Sequence, residues 1–248
     1  MHRLFQRAIK KGKSEGLLPL LKSTSGYSLR WGRDCTLRFK YLWEYGDLAP
    51  SKGERGEVNP RHIDHYISSK HIPDNAPSYG ILDGSWDLYK TPWRESSLDG
   101  LRERFAEGKP WEETTYYERN MEIISQGEKS PLADKTSNGK STSRAETREE
   151  FEEYLSHLDD VYESIKDEGY NNSSVITVSI GREGKWMTNH GNHRRTMAAI
   201  LGVESVPVQI KYRHREWQEK RIQIYNVDDP TNLSDDLKQY LDHPDIIF

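Results

Sequence analysis

The clearest periodicity in the chain lies between residues 144 and 168. There Phe151, Tyr154, Leu155, Leu158, Val161, Tyr162 and Ile165 recur at three- and four-residue intervals. That spacing lays one apolar stripe along a helix. Ser143 and Glu146 read as a capping box ahead of it, and Gly169 as its stop. Two shorter helices are predicted over 97–124. Ser97 caps the first, Leu98, Leu101 and Phe105 line it, and Gly108 ends it; Pro110 opens the second, which carries Tyr117, Met121 and Ile124. After Gly169 the period changes to two. Ile176, Val178 and Ile180 alternate, predicting a strand over 175–180 that turns at GREG (181–184) into a returning strand at 185–188. VPVQIKY (206–212) predicts a further strand. Between these strands a helix from Asn192 to Leu201 offers Met197, Ile200 and Leu201 to a core and ends at Gly202.

The first half of the chain is patterned less regularly. YGILDGSWDL (79–88) reads as a short strand running into a turn at Asp83-Gly84, and in VNPRHIDHYI (58–67) Pro60 opens a short helix with Ile63 and Ile67 on one face. Residues 125–142 are polar and turn-forming, the composition of a flexible loop, and a last helix is expected near 234–241, capped by Ser234. Strands and helices in this order predict an α+β fold. A basic helical extension (1–50) precedes a central domain (55–215) with a helical insertion (95–170), and a helical tail (216–248) follows.

Composition adjusts this picture in three places. The 248 residues suffice for one or two domains; apolar residues make up 33% and charged residues 31%, while seven tryptophans and fourteen tyrosines argue for order. A single cysteine, Cys35, excludes an intrachain disulfide and a cysteine zinc site, and fits a reducing, cytoplasmic setting. No apolar run approaches a membrane span, and the charge-interrupted start predicts no secretory signal. The net charge of -4 divides unevenly, with ten basic and two acidic residues in the first forty. In that head Leu4, Phe5, Ala8 and Ile9 share one helical face among Arg3, Arg7, Lys10, Lys11 and Lys13. The pattern suits an interfacial anchor, peripheral on an anionic membrane, a contact with nucleic acid or an acidic protein, or a terminal helix docked on its own domain.

HGNHRRTMAAILG (190–202) concentrates the candidate chemistry. A helix N-terminus offers free N–H groups and the positive end of the dipole. Gly191 admits close backbone approach, Arg194 and Arg195 supply bidentate donors, and His193 adds a donor or proton carrier. Together they describe a phosphate site. The same residues also serve as a helix start whose arginines pair with nearby carboxylates. The pair His190 and His193 has a weak metal-ligand spacing, and no metal site is expected. Asp83 and Asp87 in LDGSWD are the candidates for a catalytic or metal-binding carboxylate, against ordinary turn chemistry. His62, Asp64 and His65 read as a solvated helix face, and KYRHREWQEKR (211–221) as either a nucleic-acid contact or a surface helix with Trp217 turned inward.

The stretch GREGKWMTNHGNHRRTMAAILGVESVPVQI resembles the core of the ParB/sulfiredoxin superfamily, whose Gly-x-(His/Arg)-Arg motif follows a strand and precedes an alanine-containing helix, a glycine and a Pro-Val strand. The likeness covers about residues 173–215, with VNPRHIDHYI and 79–84 similar to the family's entry segment. It implies a small mixed sheet of that type and nucleotide binding, with Gly191, Asn192, His193, Arg194 and Arg195 around the phosphates of ATP or CTP with Mg²⁺. The activities it implies are NTP hydrolysis or phosphoryl transfer; nuclease or nucleic-acid binding through the same motif is the alternative. A non-catalytic accessory protein at a membrane surface is the second. Asn192 stands where sulfiredoxins carry their cysteine and where partition proteins commonly carry a carboxylate, which removes sulfinic acid reduction and a local general base. Met197 replaces a residue small in many relatives, and His190 one that is often Asp.

Overall fold

The computed structural model describes residues 32–96, 98–131 and 144–247. The basic head at 1–22, the expected caps Ser97 and Ser143 and most of the 125–142 loop lie outside the described residues. The chain divides after Lys52 into two units. In the first, helix α1 (32–45) leads into a 3₁₀ turn at Gly46–Leu48. Arg38 donates to the carbonyls of Ala49 and Pro50 at 3.1 and 2.9 Å.

The second unit is a mixed α+β fold around a small open sheet. Its strands are β1 (Arg55–Val58), β2 (His65–Tyr66), β3 (Gly80–Leu82) and β4 (Thr91–Pro92), then β7 (Ile176–Ile180), β8 (Trp186–His190) and β9 (Val206–His214). A separate two-stranded ladder joins β5 (Ser130–Pro131) to β6 (Arg144–Ala145). The order across the sheet is β1-β9-β7-β8-β2-β4. β1 runs antiparallel along the first half of β9, and β3 runs parallel along its second half. β7 and β8 form the hairpin that GREG predicts, and β7 lies parallel to β9. Val178 pairs with Ile210 but Ser179 with Tyr212, so Lys211 is an extra residue that bulges β9. Both β8 and β9 run two residues past their predicted ends.

The helices are α2 (Asp99–Phe105), α3 (Thr115–Ser125), α4 (Arg148–Glu168), α5 (Asn192–Leu201), α6 (Arg215–Tyr225), α7 (Asp235–Lys238) and α8 (Pro244–Ile247). The long helix begins at Arg148, four residues later than its periodicity suggests. Thr147 caps it: its hydroxyl accepts the Glu150 N–H at 3.2 Å, and the Glu150 carboxylate reaches back to the Glu146 N–H at 2.8 Å. VNPRHIDHYI is not a helix. Pro60 opens only a 3₁₀ turn, after which the chain extends into β2. Ile63 and Ile67 are both buried, but in different clusters on the sheet. Near the C-terminus α7 is only four residues long, and Ser234 precedes it without a side-chain cap bond.

Two cores meet at α5. Met197 is buried with Leu101, Tyr116, Phe151, Tyr154 and Leu158 of the helical layer. Ala198, its neighbour, is buried with Ile176, Val178, Val208 and Trp217 of the sheet layer. The helical layer is tight where α2 crosses α3: a methyl on Gly100 would lie within 3.0 Å of the Tyr116 backbone and Cβ. Gly100→Ala is therefore expected to destabilise the protein by roughly 1–3 kcal/mol through overpacking, read as a lower urea midpoint. An unchanged midpoint would show that the two helices separate freely.

Candidate functional site

The motif sits where β8 ends and α5 begins. Gly191 makes the corner in the left-handed region (φ 89°, ψ 22°), a conformation that costs a side chain strain. Its carbonyl accepts the Arg195 N–H at 2.9 Å, which starts the helix. No side chain caps the first turn. The Asn192 side chain turns back instead and meets the Thr188 hydroxyl on β8. The first-turn N–H groups and the positive end of the dipole are thus left without a capping side chain.

Arg194 supplies the charge at this corner. Its Nη2 lies 3.6 Å from where a Cβ on Gly191 would stand, so the guanidinium folds over the helix start. It has no hydrogen bond or ion pair among the described residues. Tyr170 borders the same corner, its hydroxyl donating to the Ser174 carbonyl at 2.8 Å. Burial pushes the Tyr170 hydroxyl up to about 12, against the opposing pull of the Arg194 charge.

The remaining motif residues go elsewhere. His193 points into the helical layer, where Nε2 hydrogen-bonds the Tyr116 hydroxyl at 3.0 Å and the imidazole lies nearly perpendicular to the rings of Tyr116 and Tyr154. Burial, with the Arg194 charge beside it, pulls this imidazole down to about 4, so near neutral pH it carries no charge. Arg195 is 0% exposed. None of its three guanidinium nitrogens has a hydrogen-bond partner among the described residues, and its Cζ lies 5.0 Å from the centre of the Trp93 ring. His190 is exposed and lines a separate cavity of about 260 Å³ with Asp74, Asn189 and Lys211. The HxxH residues thus face different surroundings.

Asp83 and Asp87 follow β3, which pairs with the far half of β9, whereas Gly191 follows the end of β8 that lies beside the start of β7. The length of β7 separates them, roughly 13 Å at a strand rise of 3.3 Å. Each already has a partner. The exposed Asp83 accepts the Gly84 N–H at 2.7 Å and Arg215 Nε at 2.8 Å. The buried Asp87 accepts the Arg182 backbone N–H at 2.9 Å and its Nη2 at 2.7 Å. Burial works to raise the Asp87 carboxyl, but these bonds hold it below the ordinary value. The pair anchors the GREG turn to the 83–89 loop.

The basic segment 211–221 is strand, then helix. Trp217 is buried and donates to Asp245 at 2.7 Å, and Arg213 and Arg221 converge on the same carboxylate. Arg215 is held by Asp83, and Lys220 donates to the Arg182 carbonyl at 2.9 Å. Among the described residues no group of three or more His, Cys, Asp and Glu side chains is placed to hold a metal ion, and no helix is long and apolar enough to cross a membrane. Asp64, read from sequence as solvated, bonds His65 Nδ1 at 2.5 Å and shares a cavity with Arg195. Tyr116 and Trp93 carry no local pattern that marks them as partners of the motif.

No family model matches the chain, and no curated protein or solved structure matches it either.

The neutral His193 carries a stability prediction. Its folded value lies below the unfolded one, so between about 6.5 and 4 the unfolded chain binds the extra proton. Stability from this group is full above 6.5 and declines as pH falls toward 4, by at most about 1 kcal/mol per pH unit. Denaturation of wild type and His193→Gln at pH 7 and pH 4.5 is expected to give a shallower pH dependence in the variant. Parallel profiles would place the titration elsewhere.

Proposed function

We propose that the corner at Gly191–Arg194 binds the phosphates of a nucleotide, in a domain of ParB/sulfiredoxin type. The observation that carries this reading is the helix start itself: a first turn without a capping side chain, a glycine corner and the Arg194 guanidinium folded over it, with no partner among the described residues. The N–H groups of Asn192, His193 and Arg194 would meet phosphate oxygens, and Arg194 would add the charge. The neutral His193, held by Tyr116, acts by shaping the first turn rather than as a second cation. ATP or CTP with Mg²⁺ is the ligand proposed, the ion travelling with the phosphates as Mg²⁺ commonly does.

The geometry supports binding more directly than any one reaction. Neither Asp83 nor Asp87 is near the corner, and Asn192 cannot act as a base. Phosphoryl transfer or NTP hydrolysis would therefore draw its carboxylate from another part of the chain. Nucleic-acid or nuclease activity through 211–221 has less support, because Arg213, Arg215, Lys220 and Arg221 are engaged within the fold.

With one cation and one helix terminus, saturating ATP or CTP with Mg²⁺ is expected to raise the melting temperature by about 2–4 °C for each kcal/mol of linkage. Arg194→Ala is expected to abolish the shift while leaving the unliganded melting temperature within about 2 °C, since an unpaired surface charge contributes little to stability. A wild type that responds to no nucleotide would overturn the reading.

A further inference from the structure

Arg195 stands apart from the phosphate corner. A cavity of about 570 Å³ runs along the other flank of α5, and Arg195, Ala199 and Ile200 form its helix side. Pro92 and Trp93 close it from the β4 segment, and Ala106 from the end of α2. Pro92, Trp93, Ala106, Ala199 and Ile200 make its apolar lining, with the indole of Trp93 as the largest flat surface. Three further arginines, Arg61, Arg94 and Arg102, also line it, with a single carboxylate, Asp64.

Most of these charges are committed. Arg102 is paired with Asp99 and Glu107, Arg61 leans on the Ala199 carbonyl at 3.4 Å, and Asp64 is engaged by His65. Arg94 lies 5.4 Å from the centre of the Trp93 ring and is exposed. Arg195 alone is both fully buried and without an acceptor for any of its nitrogens among the described residues. Asp64 is close enough to favour the charge but forms no ion pair with it. Burial pulls the guanidinium down to about 10, which leaves it protonated near neutral pH. A buried cation of this kind is costly unless an anion meets it.

We propose that this cavity is a second ligand site, for a small aromatic monocarboxylate whose carboxylate pairs with Arg195 and whose ring lies along Trp93. The planar fork of a guanidinium matches a carboxylate in two parallel hydrogen bonds. A singly charged ligand matches Arg195, the one fully buried cation of the cavity without an acceptor among the described residues, whereas a phosphate dianion would bring a second charge beside the Asp64 carboxylate. The volume is that of a small-molecule pocket. Trp93 is only half-buried and covers the guanidinium, so its side chain is the part that yields as the carboxylate enters. The site does not depend on the nucleotide reading, since Arg194 does not line it.

The test uses 2-naphthoate on the whole 248-residue chain, followed by thermal shift and titration calorimetry. Naphthoate is expected to raise the melting temperature of wild type and of Arg194→Ala alike, while 2-naphthalenemethanol and inorganic phosphate do not. Arg195→Met is expected to weaken naphthoate binding at least about tenfold, the loss typical of a charge-assisted pair, with an unliganded melting temperature no lower than wild type. A structural role for Arg195 would lower it. Ala199→Phe, which fills the cavity and removes no charge, is expected to lose the response too, and decides the matter if Arg195→Met does not fold. The proposal is overturned if wild type ignores naphthoate, if the neutral alcohol or phosphate binds as well, or if naphthoate binding survives in either variant.

Discussion

A ten-residue helix, α5, has to satisfy two cores at once, and much of the second unit is arranged around that demand. Adjacent residues, Met197 and Ala198, point about 100° apart on a helix, and each is completely buried in a different cluster. The helical layer and the sheet therefore share this helix as a common wall. A bulky Met fills the deeper helical side, and a small Ala lets α5 lie close on the strands. Once both faces are committed, little of the helix is left for other work. What remains is its N-terminal end and the flank that carries Arg195 and Ala199.

The polar half of the motif follows from the same geometry. Successive residues at a helix start diverge by about 100° each, so a compact stretch of sequence cannot converge on one ligand unless its side chains curl back. Asn192 returns to β8, His193 enters the helical layer, Arg194 folds over Gly191, and Arg195 goes to the opposite flank. Their environments then separate their electrostatics. His193 loses its charge to burial, while Arg195 keeps its charge in spite of it. Arg194 remains the cation beside the dipole. Crowding in sequence thus becomes dispersal in space.

Much of the fold could be read from the chain because its signals were local. The alternation at 176–180, the glycine-bearing GREG turn and the apolar stripe of α4 each state a period within a few residues. The 58–67 segment misled because its isoleucine spacing fits a helix as well as two buried points on an extended chain, and only pairing with β8 and β4 chooses the second. The helix starts at 148 rather than 144 because Thr147, closer to the stripe, caps it. In the site, the glycine corner was legible because a helix start has a sequence signature. The destinations of His193 and Arg195 were not, since Tyr116 and Trp93 lie far away in sequence and nothing local points to them. The carboxylates of LDGSWD looked available because their partners, Arg182 and Arg215, come from distant turns and helices.

The C-terminal segment shows why a count of charges is a poor guide to partners here. Asp245 is completely buried and receives Arg213, Trp217 and Arg221, while Arg213 also meets Glu54 at 2.6 Å. Burial opposes ionisation of Asp245, yet the two arginines hold its carboxyl below the ordinary value. This knot fastens the chain end to β9, α6 and the approach to β1, and it consumes cations that a sequence reading assigns to a surface stripe. Beyond residue 40 the chain holds 26 basic and 38 acidic residues, so an anion that comes within a screening length of the surface meets a net repulsive field. Any anion bound there must therefore be held by short-range geometry: oriented N–H groups at one end of α5, or a buried guanidinium that no hydrogen-bond acceptor meets among the described residues.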